Sequence, residues 1–218
     1  RRVQGERTRF EFHAGMGHIP TDVAPDVRSR NYTLTAEVRI ERQHESGVLI
    51  AHGDATSGYS LYLQHGHLVH DLNVGGTHHL LRSPDPVPPG EHQLGFSMTL
   101  GPWTTITHPV TGATRVPAHR TGTLWINGMA VASLQTVAGF NSLISWSGLD
   151  IGLDRGSPVS HYAAPFPFGG RLRRVVVELG PMIEPDTEAR AQAEMARNLY
   201  RLWFSHPAVE GITWWNLV

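Results

Sequence analysis

The 218-residue chain contains no cysteine. Disulfides and thiolate zinc sites are thereby excluded, while the redox compartment stays open. Lysine is absent too: all 18 basic residues are arginine, which fits a GC-rich genome. Charged residues make up only 17%, with a formal net charge of -1. That balance carries no bulk electrostatic signal toward nucleic acid or an anionic membrane. No apolar run approaches membrane-spanning length, and no signal peptide is visible. The chain begins with Arg1 rather than Met, and both ends read as cut edges of a longer protein.

What is abundant is turn chemistry, with 23 glycines and 15 prolines. Many turns and few charges predict many short strands. Residues 1–9 (RRVQGERTR) read as a polar linker. From Phe10 onward the pattern alternates. NYTLTAEVRI (31–40) puts Tyr32, Leu34, Ala36, Val38 and Ile40 on one strand face, with Thr33, Thr35, Glu37 and Arg39 on the other. Further strands are expected within 46–53, 59–66, 67–74, 77–83, 91–100, 122–129, 131–137, 149–154 and 171–180. Two hairpins are expected to pivot on His65-Gly66 and Asn127-Gly128, because Asn and Gly tolerate positive φ. Tyr59, Tyr62 and Trp125 alternate within strands and read as core. Residues 101–121 read as a long surface loop. Many strands without long helices between them predict an all-β fold, a two-sheet antiparallel jelly-roll sandwich over residues 10–180.

After Gly180 the grammar changes. EPDTEARAQAEMARNLYRLWFSH (184–206) predicts a helix, with Pro185 in its first turn and arginines toward its end. Ala193, Ala196, Leu199, Tyr200 and Trp203 form its apolar stripe. Pro207 ends it, and VEGITWWNLV predicts a short strand. A helix and strand tail over 181–218 is α/β grammar, unlike the residues before it.

Two resemblances bear on function. IPTDVAPDVRSRNYTLTAEV (19–38), GVLIAHGDATSGYSLYLQHGHLVHDLN (47–73), GTLWINGMAVAS (122–133) and DIGLDRGSPVSHYAAPFPFGGRLRRVVVEL (150–179) resemble the C-terminal β-sandwich of large bacterial arylsulfatases. That resemblance implies a concanavalin-like or laminin-G-like jelly roll in a bacterial protein, with the compartment, cytoplasmic or secreted, left open. It also implies a catalytic domain of the parent protein as partner. YRLWFSHPAVEGITWWNL (200–217) resembles the last helix and eighth strand of glycoside hydrolase family 10, the xylanase family, which would make the tail a piece of a (β/α)8 barrel.

Neither resemblance brings a complete active site. A sulfatase needs a C/S-x-P-x-R signature, and neither Ser83-Pro84 nor Ser157-Pro158 fits it. A family 10 hydrolase needs two carboxylates. Only Glu178, in VVVELG, could stand on the nucleophile strand, and its plainer role is an exposed residue on the last sandwich strand. For a ligand, Phe166 and Phe168 of PFPF offer stacking surfaces or a domain-docking rim; Tyr162, Trp214 and Trp215 complete the aromatic set. For a metal, His65 and His67 sit two apart on a hairpin, against a reading as solvent-facing residues. Calcium is the cofactor the sandwich resemblance allows. Asp150 and Asp154 are its candidate oxygen donors, although Asp154 better suits an Asx cap of its turn.

The expected function is a non-catalytic accessory domain of an arylsulfatase-like sulfate-ester hydrolase. The alternative is a carbohydrate-binding module, with a polysaccharide as partner, attached to a xylanase-like hydrolase. A catalytic glycosidase fragment ranks last, since one barrel strand cannot assemble a site built from several.

Overall fold

A computed structural model of the chain describes residues 7–108, 112–140, 144–181, 196–198, 200–202 and 204–205. These divide into two compact units. The first, within Arg1–Gly101 and His119–Pro181, is a two-sheet antiparallel sandwich. One sheet, A, has six strands in the order β1 (Arg9–His13), β13 (Arg171–Leu179), β2 (Tyr32–Ile40), β7 (Gly90–Leu100), β10 (Arg120–Ile126) and β11 (Met129–Thr136). The other, B, has five: β12 (Leu149–Ile151), β3 (Gly47–Gly53), β4 (Ser57–Gln64), β5 (His67–Val74) and β6 (Thr77–Arg82). The second unit, within Pro102–Ala118 and Met182–Val218, contains the hairpin β8 (Trp103–His108) and β9 (Gly112–Pro117), where the sequence predicts a loop. In the tail, the described residues 196–198, 200–202 and 204–205 are helical, as the sequence predicts. The expected final strand, with Trp214 and Trp215, lies outside the described residues.

Alternation explains sheet A. In β2, Tyr32, Leu34, Ala36, Val38 and Ile40 are buried, while their neighbours are part-exposed or exposed. They join Leu94, Phe96 and Met98 of β7 and Val175, Val177 and Leu179 of β13 in the core between the sheets. The opposite parity carries hydroxyls. One row across all six strands reads Arg9, Glu178, Thr33, Ser97, Thr123 and Ser133. Trp125 belongs to this outer face, not to the core. Its ring lies where any side chain on Gly95 would sit, and its Nε1–H donates to Ser97 Oγ at 3.3 Å.

Sheet B is different. In β4, Gly58 to Leu63 are all buried, because both faces are covered. Tyr59, Leu61 and Leu63 face the main core. Tyr62 faces the other way, into a second cluster formed by the segment 152–168 lying over the outer face of the sheet. The β4–β5 and β10–β11 hairpins turn on His65-Gly66 (φ 51 and 82) and Asn127-Gly128 (φ 52 and 81), both with the two positive φ values of a type I′ turn.

Candidate functional site

The sandwich end at which β3 finishes and β4 starts collects a polar rim. Asp54 opens the β3–β4 connection. Its Oδ1 accepts the Thr56 N–H at 2.8 Å and the Thr56 hydroxyl at 2.6 Å, an Asx-type turn. Its Oδ2 accepts hydroxyls from Ser145 and from Ser147, the latter at 2.6 Å. Burial opposes ionisation of this carboxyl, but these donors outweigh it and hold Asp54 far below the usual carboxylate range.

Between the two pinned serines stands Trp146, 63% exposed. Its turn is anchored at further points. The Thr21 hydroxyl donates to the Ser145 carbonyl at 2.9 Å and accepts from the Gly148 N–H at 3.1 Å. Gly53 N–H donates to the Gly148 carbonyl at 2.9 Å, and Ile19 and Leu149 exchange backbone bonds at 3.0 and 2.7 Å. A large apolar ring in water is unfavourable, and here the backbone beneath it is held by two other segments, 19–21 and 53–54. The indole is thus presented rigidly, not left on a loose loop.

Next to the rim, the strand β12 buries Asp150. Its Oδ1 accepts from Arg155 Nη1 at 2.7 Å and pairs with His18 Nδ1 at 3.1 Å, and its Oδ2 accepts the Arg155 N–H at 2.9 Å. Asp154 Oδ2 accepts the Val159 N–H at 3.0 Å and the Tyr162 hydroxyl at 2.7 Å. Both carboxylates therefore accept hydrogen bonds from protein donors. Among the described residues, no group of three or more His, Cys, Asp or Glu could hold a metal. His65 occupies the turn itself, while His67 Nδ1 bonds the Ser83 carbonyl at 2.9 Å.

The remaining sequence candidates are dispersed. Tyr162 packs edge-on to Tyr62 with centroids 5.0 Å apart and stacks on Phe166, also at 5.0 Å. Together with Val159 they close the outer face of sheet B. Tyr62 hydroxyl to Ser160 Oγ (3.1 Å), Asn73 Nδ2 to the Val159 carbonyl (3.1 Å) and Val48 N–H to the Phe166 carbonyl (3.0 Å) pin this cover down. Phe168 packs on the main core. Glu178 is exposed on β13, 3.6 Å from Arg9 Nε. Sequence reasoning missed Trp146 and its supports. The local signal was SWSG, an aromatic residue set inside turn chemistry (145–148).

No protein family and no curated protein matches the chain in sequence. Solved structures match it in fold. The CBM40 domain of Ruminococcus gnavus IT-sialidase, bound to α2,3-sialyllactose, matches with TM-score 0.51 and 17% identity, covering 85% of this chain and 96% of that one. A second structure of the same CBM40 domain gives TM-score 0.50, 17% identity and coverages of 85% and 97%. The chain shares their two-sheet jelly-roll fold. Domains LG4-5 of the mouse laminin α1 chain match at TM-score 0.45 and 15% identity, covering 80% of this chain and 39% of that one. These comparisons do not show the arylsulfatase and family 10 hydrolase resemblances.

Proposed function

We propose that this chain is a carbohydrate-binding accessory β-sandwich and that Trp146 is its stacking platform. The observation that carries the proposal is the rigid, exposed indole between two serines tied to one carboxylate. A pyranose ring offers a C–H face to an aromatic ring and hydroxyls at its edge. Thr56, Ser145 and Ser147 donate inward to Asp54, which leaves their hydroxyl lone pairs as acceptors for sugar hydroxyls. Rigid presentation lowers the ordering cost of binding. The Ruminococcus gnavus domain of like fold was solved with sialyllactose, which agrees with a glycan ligand. Such a module would serve a catalytic domain of its parent protein. The finer expectation, an accessory domain of an arylsulfatase, gains no support from the fold neighbours, and no described contact favours it.

Glycan-array screening followed by calorimetry on the full chain tests this. Trp146→Ala is expected to weaken the best glycan by roughly tenfold or more, as truncating a central aromatic does. Its melting temperature should stay at that of the parent. Unchanged affinity in Trp146→Ala would refute the proposal.

A further inference from the structure

Donors and acceptors are not evenly divided on the Trp146 rim. A hydroxyl has one hydrogen to give and two lone pairs to receive with. Thr56, Ser145 and Ser147 all give that hydrogen to Asp54. Backbone donors of the two connections are spent in the same way. The Thr56 and Ser57 N–H groups donate to Asp54 Oδ1 at 2.8 and 3.4 Å, the Ser147 N–H to Ser145 Oγ at 3.3 Å, and the Gly148 N–H to Thr21 Oγ1 at 3.1 Å. Asp54 imposes this polarity, because an ionised carboxylate only accepts. Its donors keep it ionised far below neutral pH.

What faces outward is a row of lone pairs with a negative charge behind it. Thr56 and Ser147 are exposed, and Ser145 is half-buried. Thr56 and Ser147 keep two lone pairs each for a ligand, while Ser145, which takes the Ser147 N–H, keeps one. The indole N–H lies in the plane of the Trp146 ring, away from its stacking face. Beside the rim, Arg155 Nη1 is drawn onto Asp150 Oδ1 at 2.7 Å, and His18 Nδ1 pairs with the same oxygen at 3.1 Å. Asp22, which follows the anchoring Thr21, adds an exposed carboxylate.

Taking Trp146 as the stacking platform proposed above, we infer that this site selects uncharged glycans and rejects sugars carrying a carboxylate or sulfate, with the Thr56, Ser145 and Ser147 hydroxyls as its specificity-determining groups. The hydroxyls of a neutral pyranose donate to these lone pairs. An ionised acidic group has no hydrogen to give. It meets lone pairs and a like charge where a donor is needed.

Calorimetry on the full chain at pH 7 would compare the best-bound neutral glycan of the array with its oxidised counterpart, whose primary alcohols are carboxylates. Lactose and sulfated lactose make a fixed second pair. The neutral member of each pair should bind at least about tenfold tighter at low salt, and the gap should narrow at high salt as repulsion is screened. Asp54→Asn places an amide N–H group against the serines, so that their hydroxyl hydrogens turn outward. In that variant the preference should shrink about tenfold, with the acidic ligand gaining affinity. The ratio in the parent protein decides the matter even if Asp54→Asn fails to fold. Acidic members that bind as tightly as the neutral ones, in a manner lost in Trp146→Ala, would overturn the inference and leave the platform standing. So would a folded Asp54→Asn protein with an unchanged ratio. Absence of binding by glycans of either kind would remove the platform itself, and the selectivity with it.

Discussion

Acid should unfold this sandwich earlier than its carboxylates require, because two histidines are buried neutral. His70 is 1% exposed, stacked on Phe96 with centroids 3.4 Å apart, and its Nε2 has no partner. His52 is 2% exposed, edge-on to Tyr59, with Nδ1 unpartnered. Burial pulls His70 from 6.5 down to about 3 and His52 from 6.5 down to about 4. For a depressed folded-state value, the unfolded chain takes up protons first. Stability is therefore whole above pH 6.5 and falls with pH until the folded values are reached. Each pH unit below 6.5 costs about 1.4 kcal/mol per histidine. At pH 5 the cost is about 2 kcal/mol each, or about 4 kcal/mol together, a large share of the roughly 5–15 kcal/mol typical of a domain. Asp26, Asp54, Glu11 and Glu37 are all held below their ordinary values of 3.8 or 4.5, so their loss belongs to lower pH. Urea unfolding of the parent and of His70→Leu at pH 7.5, 6 and 5 measures this. The parent should lose about 4 kcal/mol and the variant about half as much. A parent whose stability at pH 5 stays within about 1 kcal/mol of its value at pH 7.5 would refute the reasoning.

Other outcomes follow from packing and hydrogen bonds. Gly95→Ala should destabilise by about 1–3 kcal/mol in urea, because the new methyl meets the Trp125 ring and the Leu34 carbonyl. The same change should shift Trp125 fluorescence, and an unshifted spectrum would show that the ring does not lie there. Tyr162→Phe removes a donor from the buried Asp154 carboxylate and should cost about 1.5–3 kcal/mol, measured by thermal unfolding. Its effect should shrink at low pH, where Asp154, whose value burial raises, becomes protonated.

Parity along a strand was legible; which parity meets the core was legible only in part. In β2 one face is wholly apolar, so alternation settles its direction. In TLWIN, Leu124 and Trp125 are both apolar, and the choice falls to Phe96 and Gly95 on the neighbouring strand. Tyr62 reads as core from its place in a strand and is buried, yet its cover is the segment around Tyr162, about a hundred residues on. The β8–β9 hairpin was hidden by its prolines and by strands with few apolar residues. The Trp146 rim was hardest to see: its supports, Asp54 and Thr21, bond to Ser145 across 91 and 124 residues. Local patterns carry turns and hairpins, and contacts of that separation carry sites.

The first and last strands of the sandwich are ladder partners, with Arg9 opposite Glu178. Chain entering before Arg9 and leaving after Leu179 therefore passes through neighbouring points at one end of β1 and β13. Tension applied through the flanking chain would load that ladder one rung at a time, as a zipper opens, instead of shearing all its rungs together. The sandwich would yield to a modest steady pull before a sheared sheet of the same size.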